Sequence, residues 1–215
     1  MSYTRLAARM AVALALATSP ALAVSVAQNA NPPAKSQDKP GDQMPPAPPP
    51  NVSTSPTPLQ AGDAFGEEVV LPDRTVIYLK GHTNWDTAFD TLVDAFKSLN
   101  EYLDKQGIKA NGPAMTFYTQ TDDTGFSFQA AMPVAEAPAD PPKGDIAVGK
   151  APSGKALKFV HRGSYDAMDS SYEAITNYLD DKGLEAKELF IEEYTTDPTK
   201  TDPNKLVINV YVPIK

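Results

Sequence analysis

The chain has 215 residues, 19 basic against 27 acidic side chains, a net charge of −8 and a pI near 4.7. So acidic a chain is a poor match for nucleic-acid phosphates. The absence of cysteine excludes a disulfide scaffold, a thiolate nucleophile, a cysteine-ligated zinc or iron–sulfur centre and a lipidated anchor cysteine.

Residues 1–23 read as a secretory signal. Arg5 and Arg9 supply the positive region, residues 10–17 the short apolar run, and Ala21-Leu22-Ala23 a small-x-small cleavage site, with Ser25-Val26-Ala27 as a second. The apolar run falls short of the roughly 20 residues of a membrane span. Export to the periplasm is therefore expected, with no membrane span after cleavage; an uncleaved anchor is the alternative. Residues 24–63 form a proline-rich linker, with ten prolines from Pro32 to Pro58. Such a segment has too little to bury to offset its chain entropy and reads as a disordered spacer. A ligand for a proline-reading module is the alternative. The folded domain is expected over residues 64–215.

That domain is one unit written twice. Residues 101–110 align without gaps on 177–186, and at the same offset of 76 Tyr118-Thr119 falls on Tyr194-Thr195. Trp85-Asp86 falls on Tyr165-Asp166 at an offset of 80, as does Met132-Pro133-Val134 on Val212-Pro213-Ile214. The first copy (about 67–138) thus carries four extra residues, about one helical turn, before its helix ends, relative to the second (about 144–215). In chain order each copy reads strand (76–79; 157–160), helix (about 86–106; about 166–182) and hairpin (114–119 with 126–134; 189–195 with 206–214). Asp86 and Asp166 suit the helix starts, and Gly107 and Gly183 the left-handed caps at the ends. Further strands are expected at 67–71 and 145–150. The predicted fold is α+β: duplicated strand–helix–strand–strand units in a pseudo-two-fold antiparallel sheet domain with two long helices.

The polar residues inside strand patterns carry the functional signal. In Phe190-Ile191-Glu192-Glu193-Tyr194 alternation sends the two carboxylates to opposite faces, Glu192 with Phe190 and Tyr194, Glu193 with Ile191 and Thr195. A buried, unpaired carboxylate is costly unless a ligand or partner meets it or it stays protonated. In the first copy Thr116 takes the place of Glu192, and Tyr118 that of Tyr194, so the scaffold does not itself require the acid. Two readings stand: the one charge of a pocket between the copies, or an edge-strand glutamate in water. Trp85, Tyr118, Tyr165, Phe128 and Tyr172, with Phe117 and Tyr211, suit either an apolar cavity with polar handles or a filled core. His161 precedes Ser164 and Asp166, which fits a catalytic dyad or a structural hydrogen bond at a strand end. His82 is one residue out of register with His161, so no paired metal site is expected, nor any cofactor. No nucleophile elbow or phosphate-binding glycine loop is present.

At these residues the second copy resembles the GyrI-like, AraC-type effector-binding family. The resemblance rests on His161-Arg162-Gly163-Ser164-Tyr165-Asp166 opening a helix, Tyr178-Leu179 near its end, Glu192-Glu193-Tyr194-Thr195-Thr196-Asp197-Pro198, and Val210-Tyr211-Val212-Pro213. It implies the duplicated fold and a cleft for small, often lipophilic or cationic molecules, met by the glutamate at position 192 with Tyr194 on the same face. Some relatives hydrolyse strained electrophilic rings, which would assign Glu192 as base and Tyr194 or Tyr165 as proton donor. The leading expectation is an exported, non-enzymatic binder of a small organic molecule, favouring cations, with Glu192, Tyr194, Trp85, Tyr118, Tyr165, Phe128 and Tyr172 as ligand contacts. The rivals are that hydrolase and a periplasmic protein-interaction module. No nucleic-acid partner is expected.

Overall fold

The computed structural model describes residues 62–140 and 142–215; the expected signal segment and nearly all of the expected proline-rich linker lie outside the described residues. The elements follow the duplicated order. β1 (Phe65–Leu71), β2 (Thr75–Asn84), α1 (Ala88–Gln106), β3 (Ala114–Thr121) and β4 (Gly125–Val134) form one unit. β5 (Ile146–Lys150), β6 (Gly154–Gly163), α2 (Met168–Lys182), β7 (Phe190–Tyr194) and β8 (Leu206–Pro213) form the other. All strands join one antiparallel sheet in the order β1-β6-β8-β7-β3-β4-β2-β5. The expected strands at 67–71 and 145–150 are the two edges, and they are exchanged: each unit's first strand pairs with the other unit's second.

The pseudo-two-fold axis passes between β3 and β7. There Thr116 is the register partner of Glu192, its own repeat equivalent. The symmetry extends to details. Ala110 bridges Val134 as Ala186 bridges Ile214, and the Asn111 and Lys187 amides donate to the Pro133 and Pro213 carbonyls. α1 has 19 residues and α2 has 15, which accounts for the extra turn read in the first copy.

Strand alternation divides the sheet into two faces. Ile77, Phe126, Phe128, Ala130, Leu157, Phe159, Ile208 and Val210 face both helices, meeting Leu92, Phe96 and Leu99 of α1 and Met168, Tyr172 and Ile175 of α2. The other face holds a smaller cluster around Val76, Met115, Phe117, Ala131 and Ile191.

Two expectations are corrected. The opening strands run to Asn84 and Gly163, beyond 76–79 and 157–160, because their polar ends still pair with β4 and β8. The helices are not capped by Asp86 and Asp166, which sit inside a 3-10 turn ahead of each helix. In the first copy the cap is Asn84, whose Oδ1 accepts from the Thr87 amide at 3.0 Å; Ser164 makes no such side-chain bond.

At the other helix ends Gly107 and Gly183 have φ of 66° and 62°, with Ile108 and Leu184 amides donating back to Leu103 and Leu179. A Cβ on Gly183 would meet nothing within 4 Å, so substitution there acts through backbone conformation alone. Gly183→Ala is expected to lower stability by about 1 kcal/mol, read as a fall in the denaturant midpoint with an unchanged slope.

Candidate functional site

β7 is a central strand, so Glu192 is not an edge residue in water; it is 0% exposed. It shares a face with Phe190 and Tyr194, as read from the sequence, and that face is the one covered by the helices. Its Oε1 accepts from the Tyr172 hydroxyl at 2.9 Å and its Oε2 from the Tyr194 hydroxyl at 2.7 Å. The Tyr118 and Tyr165 hydroxyls lie 2.7 Å apart beside this pair. Four elements thus supply one polar knot inside an aromatic shell: β3 gives Tyr118, the turn before α2 gives Tyr165, α2 gives Tyr172 and β7 gives Tyr194.

The shell is continuous. Phe89 of α1 stacks on Tyr165 at 4.9 Å, and Phe96 meets Tyr194 edge-on at 5.3 Å. Trp85, Phe126 and Tyr118 pack in sequence at 4.8 and 5.0 Å, with Phe128 beyond Phe126 at 5.8 Å. The Trp85 indole N–H donates to the Asp122 carbonyl at 2.9 Å, fixing that ring to the β3–β4 turn.

Burial pushes the Glu192 carboxyl above the usual glutamate range, and the hydrogen bonds from Tyr194, Tyr118 and Tyr172 oppose that rise only in part. Burial, and secondarily the Glu192 charge, holds all four tyrosines well above their ordinary value, so each keeps its proton as a donor. Among the described residues no lysine, arginine or histidine forms an ion pair with Glu192.

The seven residues singled out as ligand contacts (Glu192, Tyr194, Trp85, Tyr118, Tyr165, Phe128 and Tyr172) all lie in this helix-side cluster, and all are buried. They form a closed interior rather than an open cleft. Three cavities reach its rim without reaching Glu192. One of about 410 Å³ touches Tyr118 and Phe126, one of about 300 Å³ lies between the two helix starts against Trp85, Phe89 and Tyr165, and one of about 230 Å³ touches Phe96 and Tyr194. Phe117 and Tyr211, also read as candidates for this cavity, face the opposite side of the sheet, because alternation separates them from Tyr118 and Val210.

The sequence reading missed Phe89, Phe96 and Phe126 as members of this shell. Phe89 and Phe96 fall with Leu92 and Leu99 at the helical spacing of a core stripe, and nothing local distinguishes a stripe residue over Tyr194 from one over alanine.

On the opposite face Glu193 has a different environment. Its Oε1 accepts from Arg74 Nη1 at 3.0 Å, and its Oε2 from Asn209 at 3.1 Å and Tyr211 at 2.8 Å. Burial pushes this carboxyl up, but the bonds from Asn209, Tyr211 and Arg74 outweigh burial and leave it below its ordinary value. It therefore contributes stability above the unfolded-state pKa, lost as pH falls through the folded one. Arg74→Ala is expected to cost about 1 kcal/mol at neutral pH, because Arg74 is partly exposed and two other donors remain. The difference from wild type should close as Glu193 protonates in acid, a trend read from unfolding curves across pH.

His161 is buried, and its contacts are structural. Nε2 donates to the Ser164 carbonyl at 3.0 Å, which leaves Nδ1 to accept from the Ser171 hydroxyl at 2.8 Å. Burial pulls its pKa down, so it stays neutral. The dyad with the Ser164 side chain or Asp166 does not form, because the ring meets the Ser164 backbone instead.

The family profile described as GyrI-like small molecule binding domain matches residues 67–215. No curated protein matches the chain. Among solved structures, EcmrR in its complex with DNA aligns with a TM-score of 0.60 at 15% identity, over 69% of this chain and 56% of that one. The chain thus spans little more than half of that protein. The separate EcmrR C-terminal domain aligns at 0.55 and 14%, over 69% and 96% of the two chains. An uncharacterized conserved protein from Listeria innocua aligns at 0.52 and 12%, over 69% and 91%. At these identities the likeness is one of fold.

Proposed function

This chain belongs to the GyrI-like small molecule binding domain family, and from that premise we propose that it is an exported binder of lipophilic organic cations, with Glu192 as the charged wall of a site between its two repeats. The observation that carries the reading is a fully buried carboxyl, ringed by aromatic side chains, with tyrosine hydroxyls as its partners and no cationic side chain paired with it among the described residues. Aromatic faces attract cations, and a carboxylate adds charge in a medium that screens it poorly. A bound cation would supply the counter-charge that the fold does not.

The closed cluster sets how binding proceeds. A ligand must displace rings between the rim cavities and Glu192, and the Phe89–Tyr165 stack between the helix starts is one such contact, joining both repeats. A hydrolytic role for Glu192, with Tyr194 or Tyr165 as proton donor, is less well supported. A general base must hold an attacking water, and none of the three rim cavities reaches Glu192. The export part of the proposal rests on residues 1–23. Cell fractionation of the full chain against one lacking those residues should place only the former outside the cytoplasm.

Calorimetric titration with an aryl-alkyl trimethylammonium ion, beside its carbon isostere bearing a tert-butyl group, tests the binding reading. The cation should bind more tightly than the isostere; equal affinity would refute the charge role.

A further inference from the structure

Thr116 is 0% exposed, and among the described residues its hydroxyl is the one buried side-chain polar atom without a hydrogen-bond partner. It sits near enough to Tyr194 to oppose slightly the rise in that group's pKa, but no hydrogen bond of sound geometry forms, and Tyr194 already gives its proton to Glu192. The repeat explains the orphan. At the offset of 80 relating the two helix starts, Leu92 stands where Tyr172 stands, so the hydroxyl that satisfies Glu192 in the second copy has no counterpart over Thr116.

Thr116 and Glu192 are direct register partners on one face of the sheet, astride the pseudo-two-fold axis. Such partners have Cβ atoms about 4.5–5.5 Å apart. A single ammonium group can span that separation. We infer that Thr116 Oγ1 is a second polar contact of the ligand, and that the ligands this site prefers are amines on an aromatic body whose protonated nitrogen carries two or more N–H bonds. One N–H donates to Glu192, whose carboxylate retains free lone pairs beyond those used by Tyr172 and Tyr194. Another donates to Thr116 Oγ1. A quaternary ammonium ion can satisfy the charge but leaves the threonine unpaired. The inference rests on the cation-binding reading above and adds the chemical class of the head group.

The test uses the full chain and two probes of one aromatic body, an aryl-alkyl primary ammonium and the corresponding trimethylammonium. Each is titrated calorimetrically into wild type, Thr116→Val and Thr116→Ser. Thr116→Val keeps the side-chain shape and should weaken the primary ammonium roughly tenfold, the scale of one buried hydrogen bond from a charged donor, while changing the trimethylammonium by less than about twofold. Thr116→Ser should restore most of the primary ammonium affinity. The ligand-free melting temperature of Thr116→Val should equal or exceed that of wild type, because no hydrogen bond is lost and an unpaired hydroxyl is removed. Equal weakening of both probes, or none of either, overturns the inference and leaves the Glu192 reading standing. Failure of both probes to bind wild type overturns both.

Discussion

Glu192→Gln is expected to weaken binding of an aromatic quaternary cation by about 10- to 150-fold while changing affinity for its neutral carbon isostere by less than about threefold. The range corresponds to the roughly 1.5–3 kcal/mol of a buried contact to a charged group. Glutamine keeps the side-chain size and can exchange hydrogen bonds with Tyr172 and Tyr194, so the aromatic shell should persist and only the charge should go. The same substitution carries a pH signature. Burial raises the Glu192 pKa, so the carboxyl tends to be protonated where an ordinary glutamate is not. Cation affinity should therefore rise with pH through that raised value in wild type and stay flat in Glu192→Gln. Ligand-free stability should do the opposite. A carboxyl with a raised folded pKa loses stability as pH rises from the unfolded-state value through the folded one, and the glutamine variant should lack that decline. Titrations and melting curves on both proteins across that window check both signs.

Phe96→Ala is expected to lower stability by about 3–5 kcal/mol. Phe96 is buried on the sheet-facing side of α1, meets Tyr194 edge-on at 5.3 Å, and borders the cavity of about 230 Å³. Its removal deletes an aromatic contact and leaves a void between α1 and the centre of the sheet, which a close-packed interior fills only partly. A denaturant titration measures the loss. A cost below about 1.5 kcal/mol would mean that α1 settles into the void at little expense, against the packing described.

The duplication was legible because it left collinear matches along both copies, and two of them coincide with shared structural features. Gly107 and Gly183 recur because both helices end in a left-handed cap. Pro133 and Pro213 occupy equivalent places in the two copies, where their carbonyls receive the amides of Asn111 and Lys187. Glu192 stood out because alternation placed a charge among aromatic residues where the other copy has threonine. The closure of the site was not legible. Whether Tyr172 and Tyr165 converge on β7 depends on how two helices lie across a twisted sheet, and local patterning carries no information on that. The exchange of β1 and β5 was hidden for a similar reason, since a strand's sequence fixes its faces and not its neighbour. The orphan at Thr116 shows the same limit. The residue was visible only as the repeat equivalent of Glu192, and its missing partner follows from Leu92, more than twenty residues away in the chain.

A crystal structure of the protein with the aryl-alkyl trimethylammonium ion bound tests the central claim most directly. The account predicts the nitrogen within about 4–6 Å of the Glu192 carboxylate, between the repeats, with rings of the shell displaced to admit it. A cation seated instead in the cavity of about 300 Å³ between the helix starts, which Asp86 and Asp90 also line, with Tyr172 and Tyr194 still capping a buried Glu192, would contradict it.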